Sequence, residues 1–300
     1  MSLSLEAYHV TRGKWKVGLN PAAESAVRGR LRRVTSKQNS LLKELRQAFQ
    51  RSELTSDGYC AVEGQHLAEE AIRSGLRFKA VFFSDEAGGR IEKLLPQISN
   101  QTEALILPDD VFCSAVNTET PQGVAALVKW PEHKPEQILA RENPLLVVAV
   151  GVQDPGNLGT IIRSAEAFGA TAVLLGEKTV SEFNSKTVRA SAGSVFRTPL
   201  IHMDLDRVEE LRGRGVRFLA TSSHKGIPID EADLRGGVAL MIGSEGAGLP
   251  RDYMARVDET VRIPQSERVE SLNAGIAASI LLYEAARQRR AALASASEES

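Results

Sequence analysis

Cysteine is scarce. The 300-residue chain has two, Cys60 and Cys113, far apart and without a CxxC partner. Two cysteines cannot staple a fold of this size, so a disulfide scaffold is excluded, as is a zinc site built on cysteine pairs. A reduced, cytoplasmic setting is the expectation. No apolar run approaches the roughly 18 residues of a membrane span, so no membrane partner is expected. The opening stretch MSLSLEAYHVTRGKWK has no apolar h-region, and a secretory signal is not expected. The five histidines, His9, His66, His133, His202 and His224, show no metal-ligand spacing, and no metal is assigned. Neither GxGxxG nor GxxxxGK[ST] occurs. That argues against a Rossmann dehydrogenase, a nucleoside-triphosphatase and the common Rossmann-like methyltransferases.

The composition present is that of a folded chain: 42% hydrophobic and 25% charged residues. Its length exceeds what one compact core usually serves, so two domains are expected. Residues 1–30 read as an extension without fixed order, 31–131 as a small α/β domain, 132–142 as a linker, 143–290 as a second α/β domain, and 291–300 as an unstructured tail. Net charge is -1 but unevenly spread. Residues 28–51 carry Arg28, Arg30, Arg32, Arg33, Lys37, Lys43, Arg46 and Arg51 against Glu44 alone, a local charge of +7 (8 minus 1). Such a cluster suits nucleic-acid phosphates, with a salt-dependent affinity, or else forms a solvated helix face.

In the first half, QNSLLKELRQAF and HLAEEAIRSG have helical spacing, while GYCAVEG, KAVFFS, EALILP and GVAALVKW read as strands. The second half opens with PLLVVAV, an apolar run typical of a buried parallel strand. TAVLLG, VRFLATS, VALMIG and TVRIP follow as strands alternating with helices, which implies a parallel sheet covered on both faces.

Three segments stand where a strand ends, the place at which open α/β sheets bind ligands. In GVQDPGNLGTIIRSAEAFGA (residues 151–170), Asn157 can cap the next helix, and Arg163 stands about one turn into it. There it suggests an anionic partner, or else a surface salt bridge with Glu166. In VALMIGSEGAGLP (238–250), Gly243, Gly246 and Gly248 flank Glu245 and offer backbone groups at close range. In VRIPQSERVESLNAGIAASILLYEAARQRR (261–290), Ser271 occupies an N-cap position, Asn273 follows, and Ala274, Gly275, Ala277, Ala278 and Ser279 leave room for another backbone.

Together the three segments resemble motifs 1, 2 and 3 of the SpoU (TrmH-like) RNA ribose 2′-O-methyltransferases of the SPOUT superfamily. Asn157-x-Gly159-x-x-x-Arg163 matches motif 1, and Gly243-x-Glu245-Gly246-x-Gly248 matches motif 2. Ile263-Pro264 with Ser271-Leu272-Asn273 and Tyr283-Glu284 matches motif 3, with Ala274-Gly275 where relatives often have Val-Ser. NSLLKELRQAF, CAVEGQHLAEEAI and NTETPQGVAAL resemble the family's accessory domain, similar to ribosomal protein L30e. The resemblance implies a deep trefoil knot, a homodimer, and S-adenosylmethionine as methyl donor to a ribose 2′-hydroxyl, with no metal. Arg163, Asn157, Glu245, Ser271 and Asn273 would surround the acceptor. Thr221, Gly243, Gly248, Ile263 and Leu272 would hold the cofactor. Arg30, Arg32, Arg33 and Lys37, with Asn184, Lys186 and Arg189, would contact RNA. Large-subunit rRNA is the expected substrate, self-resistance to a ribosome-directed antibiotic being a narrower version of the same chemistry. A tRNA 2′-O-methyltransferase and a non-catalytic ribosome-assembly protein are the alternatives.

Overall fold

A computed structural model describes residues 27, 29–266 and 268–298. Most of the expected N-terminal extension, and Arg28 of the basic cluster, lie outside them. The first half builds a five-stranded sheet from β1 (Leu31–Arg33), β2 (Tyr59–Glu63), β3 (Phe78–Ser84), β4 (Glu103–Leu107) and β5 (Val124–Lys129), in the spatial order β1-β4-β3-β5-β2. β1, β4 and β3 are parallel, and β5 is antiparallel to both neighbours. Helices α1 (Ser40–Arg51), α2 (Gln65–Arg73), α3 (Gly89–Leu94) and α4 (Asp109–Cys113) connect them. α1 shows why the local sequence folds this way. Asn39 caps it, its side chain accepting from the amides of Leu41 and Leu42. Leu42, Leu45, Ala48 and Phe49 recur at helical spacing and are all buried.

The second half is a seven-stranded sheet, parallel at every pair. Its strands are β6 (Leu145–Ala149), β7 (Ala172–Leu175), β8 (Leu200–His202), β9 (Arg217–Ser222), β10 (Ile227–Pro228), β11 (Val238–Ile242) and β12 (Glu259–Arg262). They are ordered β10-β12-β9-β11-β6-β7-β8. β6 and β11 are central and buried on both faces, which is why both read as unbroken apolar runs. The helices are α5 (Pro135–Leu139), α6 (Pro155–Ala167), α7 (Ser185–Ala190), α8 (Leu205–Gly213), α9 (Arg251–Met254) and α10 (Ala274–Glu298).

Two expectations are corrected here. The stretch expected as a linker contains α5, whose Ile138 and Leu139 join the apolar cluster around β6 and β11. The tail expected to lack structure is helical as far as Glu298, in line with its many alanines.

The halves are not separate beads. One apolar cluster contains Val62, Leu67 and Ala71 from the first and Val188, Val195 and Phe196 from the second. Trp130 meets Phe183 edge-on with ring centroids 4.8 Å apart, and the Ser181 hydroxyl donates to the carbonyl of Ser52 at 2.7 Å.

α6 packs between α7 and α10. At its crossing with α7, a Cβ on Gly159 would lie 2.5 Å from the Cβ of Ala190 and 2.6 Å from the carbonyl oxygen of Thr187. Gly159→Ala therefore overpacks the crossing and should destabilise the fold by about 1–3 kcal/mol. Thermal unfolding would show this as a fall of roughly 2–10 °C in Tm; an unchanged Tm would mean that the two helices part freely.

Candidate active site

The site forms where β6, β9, β11 and β12 end. α6 leaves β6 through Asp154-Pro155, and Asp154, not Asn157, is its N-cap: its carboxylate accepts the Asn157 amide at 2.9 Å. That bond, with the Lys186 ammonium 3.1 Å away, holds the Asp154 carboxyl below its ordinary pKa. The Asp-Pro pair is the local signal for this start, since proline at the first helical position loses no hydrogen bond. Asn157 is thereby placed inside the first turn, nearly buried.

After β11 the chain folds on itself. Ser244 and Gly248 exchange backbone hydrogen bonds of 3.2 and 2.9 Å. Gly248 has a positive φ of 67°, and a Cβ on Gly243 would stand 2.4 Å from the carbonyl carbon of Gly248. Only glycine fits this turn at both ends. Glu245 projects from it, and its Oε1 accepts from Asn157 Nδ2 at 2.7 Å, Asn273 Nδ2 at 3.1 Å and the Ala274 amide at 3.2 Å. Asn273 Nδ2 also donates to Asn157 Oδ1 at 2.7 Å. Asn273 Oδ1 accepts the amides of Gly275 and Ile276, so Asn273 rather than Ser271 caps α10.

Two cavities flank the 243–248 loop. One, of about 360 Å³, is lined by all five residues expected to hold a cofactor, Thr221, Gly243, Gly248, Ile263 and Leu272, and by Ser271. Ser222, Ser223 and Gln265 also line it, and no motif in the sequence marked them. The other, of about 840 Å³, is lined by Asn157, Glu245, Asp154, Glu177, Lys178 and Asp252 among others.

Arg163 lines neither cavity. It stands about two turns into α6, not one, and is exposed. It makes no hydrogen bond or ion pair among the described residues. Glu166 does not pair with it. Both Glu166 oxygens are taken by Arg197, Oε1 by Nε and Oε2 by Nη2 at 3.0 Å. That guanidinium holds the Glu166 carboxyl below the ordinary range.

The basic cluster is largely committed within its own half. Arg30 donates to the carbonyls of Leu95, Ile98 and Ser99. Arg32 pairs with Glu103, Arg33 with both oxygens of Asp85, and Lys37 with Asp110. Their opposing charges come from distant sequence, so the local count of +7 overstates what reaches solvent. Lys43 and Arg51 make no side-chain contact of this kind among the described residues. In the second half Asn184 caps α7, Lys186 pairs with Asp154, and Arg189 is exposed near Glu63. Burial pushes the Glu63 carboxyl up, and Arg189 offsets part of that.

The small residues of α10 are used inside the chain. A Cβ on Gly275 would lie 2.9 Å from Thr160 Cβ, and Ser279 meets Ser164 at 2.7 Å, both on α6. Gly275 thus sets how closely these helices approach. The outward face of α10 instead carries Ile276, Ile280 and Tyr283, exposed by 52%, 37% and 50%.

Residues 144–283 match the SpoU rRNA Methylase family, and residues 39–126 match an MRM3-like substrate binding domain. The 23S rRNA (guanosine(2553)-2′-O)-methyltransferase RlmP of Bacillus subtilis is 35% identical over 84% of this chain and 98% of its own. The chain belongs to the SpoU rRNA methylase family. The 23S rRNA (uridine(2479)-2′-O)-methyltransferase of Streptomyces viridochromogenes is 30% identical over 86% of this chain and 93% of its own. Among solved structures, an AdoMet-bound rRNA methyltransferase from Sinorhizobium meliloti superposes with a TM-score of 0.74 at 29% identity, covering 86% of this chain and 98% of that one. The α/β architecture with its parallel sheet is that of these SPOUT methyltransferases.

Glu245 gathers three donors from two stretches of the SpoU domain, the starts of α6 and α10. Glu245→Ala strands them at a half-open site and should cost about 1–3 kcal/mol, whereas Glu245→Gln keeps the accepting oxygen and should cost less than half as much. Equal losses in urea unfolding would show that the charge, not the acceptor, holds the network.

Proposed function

We propose that the chain is an S-adenosylmethionine-dependent RNA 2′-O-ribose methyltransferase that acts on large-subunit rRNA in the cytoplasm as a homodimer. The observation that carries this reading is the single loop, residues 243–248, shared by two cavities and tied through Glu245 to Asn157 and Asn273. The loop and Glu245 line both cavities, so a donor seated in one and an acceptor in the other converge on it, where transfer needs their reacting atoms in contact, about 3–3.5 Å apart.

The smaller cavity fits the cofactor. Ile242, Val261, Ile263, Leu272 and Leu281 supply apolar wall for an adenosine, while Thr221, Ser271, Gln265 and the loop backbone supply polar contacts. Among the described residues Glu245 is the one charged side chain lining it, a suitable neighbour for a sulfonium. When bound, the cofactor supplies a methyl already activated by that sulfonium. The chain's task is to align the acceptor hydroxyl and ease the loss of its proton. Asn157 and Asn273 fix the Glu245 carboxylate at the mouth of the larger cavity, where it can accept from a ribose hydroxyl. The segment leaving β12 walls the same cavity as the loop leaving β11, which is the arrangement a trefoil crossing of the two would give.

Arg163 lies six residues beyond Asn157, about 240° around the helix, and so faces away from its own cavities. On α6 it falls between Gly159, which meets α7, and Thr160, which meets α10, and on α10 the exposed Ile276, Ile280 and Tyr283 form an apolar stripe. Pairing two chains through this face brings Arg163 of the partner subunit to the acceptor site. An arginine keeps its proton, so there it orients a phosphate and stabilises developing alkoxide charge. The two relatives named for 23S rRNA and the match to a substrate-binding domain favour rRNA over tRNA.

Methyl transfer from labelled S-adenosylmethionine should mark unmodified 23S rRNA and leave tRNA blank. Arg163→Ala should lower the rate by about 100-fold or more, on the scale of other lost electrostatic groups. Full activity of Arg163→Lys, or label confined to tRNA, would overturn the reading.

Light scattering should give twice the chain mass. Mixing two weak variants, Arg163→Ala and Glu245→Ala, should restore activity to about a quarter of wild type, because half the dimers then carry one intact composite site. No gain on mixing would place Arg163 and Glu245 in the same subunit's site.

A further inference from the structure

We propose that Arg197 is a positioning residue for methyl transfer: it withholds Glu166 from Arg163 and so leaves the Arg163 guanidinium free for RNA. The inference rests on the reading of Arg163 as the group that engages the acceptor.

Residues three apart on a helix are neighbours, with Cβ atoms about 5–6 Å apart, and an arginine and a glutamate so placed attract. Arg163 and Glu166 have this relation on α6, yet no ion pair joins them. Arg197, just beyond the turn that follows α7, takes Glu166 in a two-point contact. A planar guanidinium matched to both oxygens of one carboxylate outcompetes a single-point contact along a helix. Arg197 is itself held from the other side. Its Nη1 donates to Glu70 Oε2 at 2.8 Å and to Ser74 Oγ at 3.1 Å, both on the first half. Glu70 is 7% exposed, and a Cβ on Gly193 would meet its side chain at 2.5 Å, so this anchor has little room to move. Glu70, Arg197 and Glu166 thus form a fixed chain of alternating charge that ends one helical turn short of Arg163.

If Arg197 is lost, Glu166 becomes a competitor twice over. It can pair with Arg163, and its uncompensated charge repels an incoming phosphate. Both effects are electrostatic, near the surface and screened by salt.

The test uses the full-length dimer and a 23S rRNA transcript. Arg197→Met should lower kcat/KM for the RNA by about two- to fivefold at low ionic strength, on the scale of exposed helix pairs. The deficit should shrink toward none at about 0.5 M salt. Glu166→Gln alone should stay near wild type, since Arg163 remains uncommitted. The decisive variant is Arg197→Met with Glu166→Gln. Activity should return to the level of Glu166→Gln alone while Tm stays lowered, because the clasp to Glu70 is still broken. A loss that the second substitution does not rescue, or that salt does not relieve, would overturn the proposal and leave Arg197 as a clamp between the halves. Arg163→Ala is run alongside: an active enzyme there would remove the reading beneath the proposal, and the proposal with it.

Discussion

The carboxylate of Glu245 is the point at which three distant stretches of chain meet. Asn157 comes from the start of α6, Asn273 and the Ala274 amide from the start of α10, and Glu245 itself from the loop after β11. Two helix starts and a strand end are locked by one oxygen. Each contact is ordinary in strength, but the three are made together, so loss of any one loosens the others. The cavities on either side of the loop keep their shape because this junction holds.

The sheet beneath makes the junction possible. β6 and β11 are central, parallel and apolar on both faces, and all their chain ends of one polarity emerge on one edge. Polar groups that a buried strand could not carry are collected there. Glycine at 243 and 248 then lets the chain reverse within six residues without a side chain colliding with its own backbone.

Much of this was legible in the sequence. The unbroken apolar runs of β6 and β11, the alternation of strand and helix, and the three glycine- and asparagine-bearing segments located the sheet and the residues that meet at its edge. The misread charge partners share one physical cause: they are distant in sequence. Arg32, Arg33 and Lys37 looked unopposed because Glu103, Asp85 and Asp110 lie some 50 to 75 residues away. Glu166 looked like a partner for Arg163 because it is three residues off, while Arg197 is 31 away. The capping errors were of another kind. Asn157 and Ser271 are both good cap formers, but Asp154 with its proline and Asn273 with its geometry were better. The small residues of α10 signalled close packing correctly, and nothing in their spacing could say that the neighbour was α6 of the same chain.

The apolar cluster that spans both halves carries a consequence for how a target is chosen. A binding module on a loose tether can reach nucleotides over a range of distances. Here Val62, Leu67 and Ala71 are packed with Val188, Val195 and Phe196, and Trp130 is wedged against Phe183. The module is bolted on, and the molecule works as a gauge of fixed span. On the function proposed above, an RNA would be accepted when its own fold sets the gripped element and the reactive ribose that far apart, so that the selection would be made by the architecture of the RNA as much as by the base beside the sugar.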